Sequence, residues 1–172
     1  MRKAVIGVMG GASADERTRG LARRLGQLVA EGGMVLLCGG RPEGVMDEAA
    51  RGARERGGFT VGILPGSDPD AAGGGIDLAV ATGMGNGRNV INVLSSDVVI
   101  ACPGGAGTLS EVALALKCGK PVVALGFDPG NGFLPWRGGR LALADTAEEA
   151  ISLARGFLGR AEAGAASPEQ LL

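Results

Sequence analysis

A chain of 172 residues with a formal net charge of -1 and 3% aromatic residues has neither the basic excess nor the stacking side chains that nucleic-acid binding draws on. Histidine is absent, which excludes a Ser-His-Asp or Cys-His nucleophile and any His-ligated metal. The balance of 45% hydrophobic and 20% charged residues suits one globular domain, and no apolar run reaches the ~20 residues of a membrane-spanning helix.

In chain order, residues 4–9 are a compact apolar run, read as the first strand, that leads into Gly10 and Gly11. A helix follows. Ser13 and Glu16 have capping-box spacing, and Leu21, Leu25, Leu28 and Val29 recur on one face, leaving Arg17, Arg23 and Arg24 on or beside the wet face. Residues 34–38 are the second strand, closed by Gly39 and Gly40. Pro42 suits an early helical position, and Val45, Met46, Ala49, Ala50 and Ala53 continue that helix. Residues 59–64 are the third strand, stopped by Pro65, and 67–75 are rich in Gly, Asp and Pro, as an exposed loop would be. Residues 76–81 give a fourth strand, 86–95 a helix reached through glycines, and 97–102 and 121–125 two strands flanking a helix that starts near Thr108. The last helix covers 146–158, with Thr146 and Glu149 again at capping-box spacing, and the tail from Gly159 is expected to fray.

Short apolar runs alternating with helices predict an α/β fold, a Rossmann-like doubly wound parallel sheet forming a single domain over residues 1–158. Ligands of such sheets bind outside the carboxyl ends of the strands, near the point where strand order reverses. The glycine-rich turns at Gly10, Gly39, Gly83 and Gly104 all follow strands, so loops that permit close backbone approach converge on one rim.

Residues 103–111, PGGAGTLSE, carry the most chemistry. They join an apolar strand to a run of good helix formers. The free N–H groups of a helix start, beside glycines that have no Cβ, form an anion site to which Thr108 adds a hydroxyl. A plain tight turn is the alternative use of Gly104, Gly105 and Gly107, and no lysine follows as a Walker motif requires. Glu111 also has two readings. It stands at capping-box spacing from Thr108, a spacing this chain repeats elsewhere, and it lies beside the expected anion site. Arg88, among Gly85, Asn86, Gly87 and Asn89, comes to the same rim, where a guanidinium binds phosphate in a bidentate way. The helix over 109–116 is apolar nearly all round, so it is either sandwiched in the core or buried against a second subunit. The cysteines, Cys38, Cys102 and Cys118, form no CxxC pair and read as small buried hydrophobes of a reduced cytoplasm.

PGGAGTLSE resembles the PGGxGTxxE signature of the LONELY GUY (LOG) type phosphoribohydrolases and the related molybdenum cofactor carrier proteins. CGGRPEGVMDEAARGARERGG from Cys38 is similar to the family's GGGxxGLMG segment, and GMGNGRNVIN from Gly83 to the segment that carries its arginine, MHxRK in the LOG enzymes. The resemblance covers residues 4–125. It implies a catalytic role for Glu111 and Arg88, with phosphate or nucleotide contacts from Gly10, Gly39, Gly40, Gly85, Asn86, Gly104, Gly105, Gly107 and Thr108. Asn89 stands where the LOG segment has lysine, and GMGNGRN looks closer to the carrier branch; Cys38 and Asp47 stand where the family has glycine. Lys3, Lys117 and Lys120 lie outside the glycine motifs, so the lysine decarboxylase label that travels with the family is not expected to apply.

The activity so implied is hydrolysis of the N-glycosidic bond of a nucleoside 5'-monophosphate to free base and ribose 5-phosphate. The alternative is a binding or carrier protein that holds a nucleotide or the molybdenum cofactor without turnover. Neither requires a metal ion or a resident cofactor; the bound species would be a nucleoside monophosphate, phosphate or molybdenum cofactor. The expected protein is soluble and cytoplasmic, a homodimer or tetramer, with a small phosphorylated ligand and no nucleic-acid or membrane partner.

Overall fold

The computed structural model describes residues 2–164. The elements run β1 (Val5–Met9), α1 (Glu16–Glu31), β2 (Val35–Cys38), α2 (Gly44–Glu55), β3 (Thr60–Leu64), β4 (Leu78–Ala81), α3 (Asn89–Ser95), β5 (Val98–Ala101), α4 (Ala106–Lys117), β6 (Val122–Leu125), β7 (Leu141–Ala144) and α5 (Ala147–Gly164). The strands form one parallel seven-stranded sheet in the order β4-β3-β2-β1-β5-β6-β7, a Rossmann-like α/β architecture. Strand order reverses between β1 and β5, which pair from Ile6↔Val98 to Met9↔Ala101. Loops leaving these two neighbours go to opposite faces and open a crevice above their carboxyl ends.

Alternation along each strand divides the core into two layers. Ile6, Val8, Leu36, Val98 and Ile100 face α1, α2 and α5, while Met9, Leu37, Val99, Ala101 and Val122 face α3 and α4. Burial is complete at most of these positions, which is why β5 and β6 read as continuous apolar runs. Among the described residues only α3 and α4 cover the second face. Over β4 it is bare, with Leu78 49% and Val80 38% exposed. Among the described residues no helix is long and apolar enough to cross a membrane.

Several local expectations are corrected. Helix α1 is capped by Asp15, whose carboxylate accepts from Thr18 N at 2.8 Å, rather than by the Ser13–Glu16 box. Asp15 has the same three-residue reach, and its charge suits the helix start. Pro42 lies outside α2, which begins at Gly44. There φ is +53°, and a Cβ would stand 2.2 Å from Gly11 O. That close approach docks α2 on the turn after β1, with Val45 N donating to Gly11 O at 3.1 Å. The helix expected over 86–95 is split into a 3-10 turn, Gly85–Arg88, and α3. Helix α4 starts at Ala106 with Gly105 as its N-cap, so Thr108 and Glu111 are not a capping box.

Strand β4 begins at Leu78, two positions later than read, and the loop over 67–75 contains a short 3-10 turn, Pro69–Ala71. Strand β7, LALA, lacks a β-branched residue and exists because β6 offers it a free edge. Helix α5 continues past Leu158 to Gly164, and the rest of the expected tail, 165–172, lies outside the described residues. Its Thr146 cap does form, with Glu149 N donating to Thr146 Oγ1 at 3.2 Å. Cys38 and Cys102 are buried as expected; Cys118 is exposed at the end of α4.

Candidate functional site

A cavity of about 210 Å³ lies at the strand-order reversal, between the turns that follow β1, β2 and β5. The turns after β1 and β5 are tied together, with Gly11 N donating to Pro103 O at 3.1 Å. The first turn of α4 forms one wall through Gly105, Gly107 and Thr108. Its leading N–H groups have no partners within the helix and carry the positive end of the helix dipole. Thr108 is buried, and its hydroxyl makes no hydrogen bond among the described residues.

Gly105 and Gly107 are informative because no contact among the described residues requires them. A Cβ at either would meet no atom within 4 Å, and neither has a positive φ. Gly104 is different: a Cβ there would lie 2.1 Å from Thr108 Oγ1 and 2.8 Å from Gly11 N. Gly104 therefore shapes the turn and does not line the cavity, whereas the surfaces of Gly105 and Gly107 are open to it.

Arg88 and Glu111 meet across the cavity. Arg88 leaves the 3-10 turn before α3 and Glu111 comes from the second turn of α4. Arg88 Nη1 donates to Asn89 Oδ1 at 3.1 Å and lies 3.8 Å from Glu111 Oε1, a charge contact longer than a hydrogen bond. Arg88 Nε is buried and unpartnered among the described residues, while Nη2 is unbonded and open to the cavity. Gly39 makes room for this guanidinium: a Cβ there would stand 2.7 Å from Nη2 and 3.0 Å from Nη1.

Glu111 is 6% exposed. Its Oε1 accepts from Asn92 Nδ2 at 3.0 Å, and its Oε2 is unbonded yet not among the buried unpaired atoms, so it reaches the cavity. Burial pushes its carboxyl above the usual carboxylate range, opposed by the Asn92 hydrogen bond and by the charge of Arg88. Burial likewise lowers Arg88 from its ordinary value, which Glu111 partly offsets. Cys38, beneath Gly39, is pushed up to about 11 by burial and stays a neutral thiol.

Of the residues expected at the site, Gly10, Gly39, Asn86, Arg88, Gly105, Gly107, Thr108 and Glu111 line the cavity. Gly40, Gly85 and Gly104 do not. Gly40, at φ +75°, packs on Gly62 of β3, and Gly85, at φ +55°, turns the chain after its N–H donates to Pro65 O. Gly83, also expected at the rim, instead pairs its N–H with Gly66 O. The cavity adds Gly11, Arg41, Met46 and Asn89, and Asn92 stands behind Glu111. Arg41 follows the Gly39–Gly40 turn directly, a position from which it was legible; Asn92, inside a helix, carried no such signal.

Comparison with known proteins agrees with this architecture. The chain is similar over 92% of its length to the molybdenum cofactor binding protein of Rippkaea orientalis, covering 99% of that chain at 48% identity and a TM-score of 0.88. It is likewise similar to the molybdenum cofactor carrier protein of Chlamydomonas reinhardtii, at 42% identity and a TM-score of 0.86 over the same shares. A cytokinin riboside 5'-monophosphate phosphoribohydrolase of Mycobacterium tuberculosis is 34% identical over 139 residues, 73% of this chain and 71% of that protein. The model of the SLOG cluster4 family matches residues 3–152, and the chain belongs to that family.

Proposed function

We propose that the protein binds a phosphorylated heterocycle in this cavity, with the phosphate on the first turn of α4 and against Arg88, in the manner of a molybdenum cofactor carrier. The observation that carries this reading is the pair Gly105 and Gly107, whose missing side chains serve no contact within the chain but leave backbone N–H groups open to the cavity. The unbonded Nη2 of Arg88 and the unbonded hydroxyl of Thr108 supply further donors. At about 210 Å³ the cavity is smaller than the roughly 300–1,000 Å³ that encloses a drug-sized ligand. The phosphate end therefore sits inside and the ring system over the mouth, beside Arg41 and Asn89. Molybdenum cofactor is cargo here, and the donors named fit its phosphate. Identities of 42–48% over nearly the whole chain support this reading, as does asparagine at 89, where the LOG segment has lysine.

Glu111 favours a second reading, hydrolysis of a nucleoside 5'-monophosphate. A carrier has little use for a buried carboxylate with one oxygen turned to the ligand. In a hydrolase, Oε2 would stabilise positive charge developing on the ribose or orient the water that adds to it, releasing base and ribose 5-phosphate. Incubation of the pure protein with AMP and related monophosphates, beside a Glu111→Gln variant, separates the two. Phosphate-dependent ligand binding without release of base is the expected result; base released by the wild type and not by the variant establishes the hydrolase instead.

The same reading makes the protein a homodimer. Val90, Leu94 and Leu109 are 40%, 54% and 38% exposed on α3 and α4, which cover the same face of the sheet as the bare Leu78 and Val80. Parallel sheets are normally covered on both faces, and a second copy laying its own α3 and α4 against this region completes the layer.

A further inference from the structure

Asn92 is fully buried, at 0% exposure, on the inner side of α3, where its neighbour Val93 packs into the apolar layer over the sheet. A leucine would satisfy that position. The amide instead makes a single side-chain bond, Nδ2 to Glu111 Oε1 at 3.0 Å, and its Oδ1 has no partner among the described residues. A buried polar atom left unpaired costs stability, so packing alone gives no reason for an amide there. Arg88 stands four residues earlier, so both side chains project from the same side of this segment toward Glu111.

We propose that Asn92 is the positioning residue of the site: by holding Oε1 from within the core it turns Glu111 Oε2 into the cavity, and by rotating its amide it supports the carboxyl in either protonation state. The inference rests on Glu111 being a residue of the ligand site, and it holds whether the ligand is hydrolysed or carried. With Glu111 ionised, the amide N–H donates to the carboxylate. When Glu111 holds a proton on Oε1, a half-turn of the amide presents Oδ1 as acceptor without moving the helix, since the two ends of an amide are nearly the same size. The unpaired atom of Asn92 is then the unused half of a two-way contact.

The other charged or titratable groups facing Glu111 do not duplicate this. Arg88 Nη1 is 3.8 Å away and spends its hydrogen bond on Asn89. Cys38, from the end of β2, is a neutral thiol, and Arg41, from the following turn, acts on the charge of Arg88. Asn92 is the sole hydrogen-bond partner of Glu111's carboxyl among the described residues.

NMR on the isotope-labelled full-length protein tests this without any ligand, so a failed hydrolysis or binding assay leaves it untouched. The carboxyl carbon of Glu111, identified by its loss in Glu111→Gln, is followed against pH together with the side-chain amide of Asn92. The amide signals should move with the midpoint of Glu111 and stop titrating in Glu111→Gln. In Asn92→Leu, or Asn92→Ala if the leucine variant does not fold, both contacts are lost, and the Glu111 midpoint should rise by about one pH unit because the charge-assisted bond to the ionised form is the stronger of the two. An Asn92 amide that ignores the titration of Glu111 overturns the proposal, as does an unchanged midpoint in a folded variant.

Discussion

Gly39→Ala isolates the placement of Arg88. Gly39 does not have a positive φ, so alanine meets no backbone strain and the whole effect is steric. The new methyl would lie 2.6 Å from Met46 Sδ and 2.7 Å from Arg88 Nη2. Both groups border the cavity, but Met46 is packed among core residues whereas the guanidinium is held by a single hydrogen bond, to Asn89, so Arg88 is the group that gives way. Overpacking of this kind costs about 1–3 kcal/mol, or about 2–12 °C of melting temperature for a domain of this size, with the low end expected because one neighbour can swing aside. A displaced Arg88 forfeits a charge-assisted bond to phosphate, about 1.5–3 kcal/mol, which weakens binding by about 10- to 150-fold. Calorimetry with inorganic phosphate and with AMP reads the affinity, beside a thermal melt. Because the loss acts through Arg88, Gly39→Ala should add nothing to Arg88→Ala when the two are combined. A folded Gly39→Ala protein with wild-type affinity, or additive losses in the pair, would refute the steric account.

Glu111 makes a pH-dependent contribution of definite sign. Its folded value is raised above the unfolded one, so between the two the native state holds the extra proton, and stability falls as pH rises through that window. Relative to wild type, Glu111→Gln should therefore be least favourable near pH 4 and gain as the pH is brought to 8, measured by urea unfolding; a difference that is flat with pH contradicts the buried, raised carboxyl. Leu94→Asp should break the proposed dimer. Two copies of a leucine burying about 1.5 kcal/mol or more each predict a dimer dissociation constant weakened at least about 100-fold, read by sedimentation velocity, and a wild type that is already monomeric removes the interface. With Cys38 pushed to about 11 and Cys102 to about 12 by burial, and Cys118 exposed, a thiol reagent should label Cys118 in the native protein and all three cysteines after unfolding. Rapid native labelling of Cys38 would mean that the floor beneath Gly39 opens.

Most of the sheet was legible from the residues alone, for a local reason. A strand buried on both faces must be a short apolar run, and the runs ending at Met9, Cys38, Leu64 and Ala101 could be little else. Helix starts were harder, because competing caps lie within a residue or two and the choice is made by contacts distant in sequence. Asp15 outcompeted Ser13 locally, but Gly44 replaced Pro42 as the beginning of α2 because Gly11, far back in the chain, leaves no room for a Cβ. Strand β7 had no signal of its own and was created by the edge of β6.

The sequence by itself determined the chemistry available at the rim: a glycine turn at a helix start, an arginine and a glutamate, with histidine excluded. The ambiguity of Glu111 between cap and site residue could not be resolved from spacing, since both uses place it three residues after Thr108. Tertiary structure removes the capping use by starting α4 at Ala106, which places Glu111 in the second turn, lining the cavity within reach of Asn92 and Arg88. It also separated glycines that look alike in sequence. Gly104 and Gly40 are small because protein atoms crowd them, whereas Gly105 and Gly107 are small beside open space. Spacing is a property of the chain, but which face of a turn meets protein and which meets solvent depends on strands brought together from opposite ends of it.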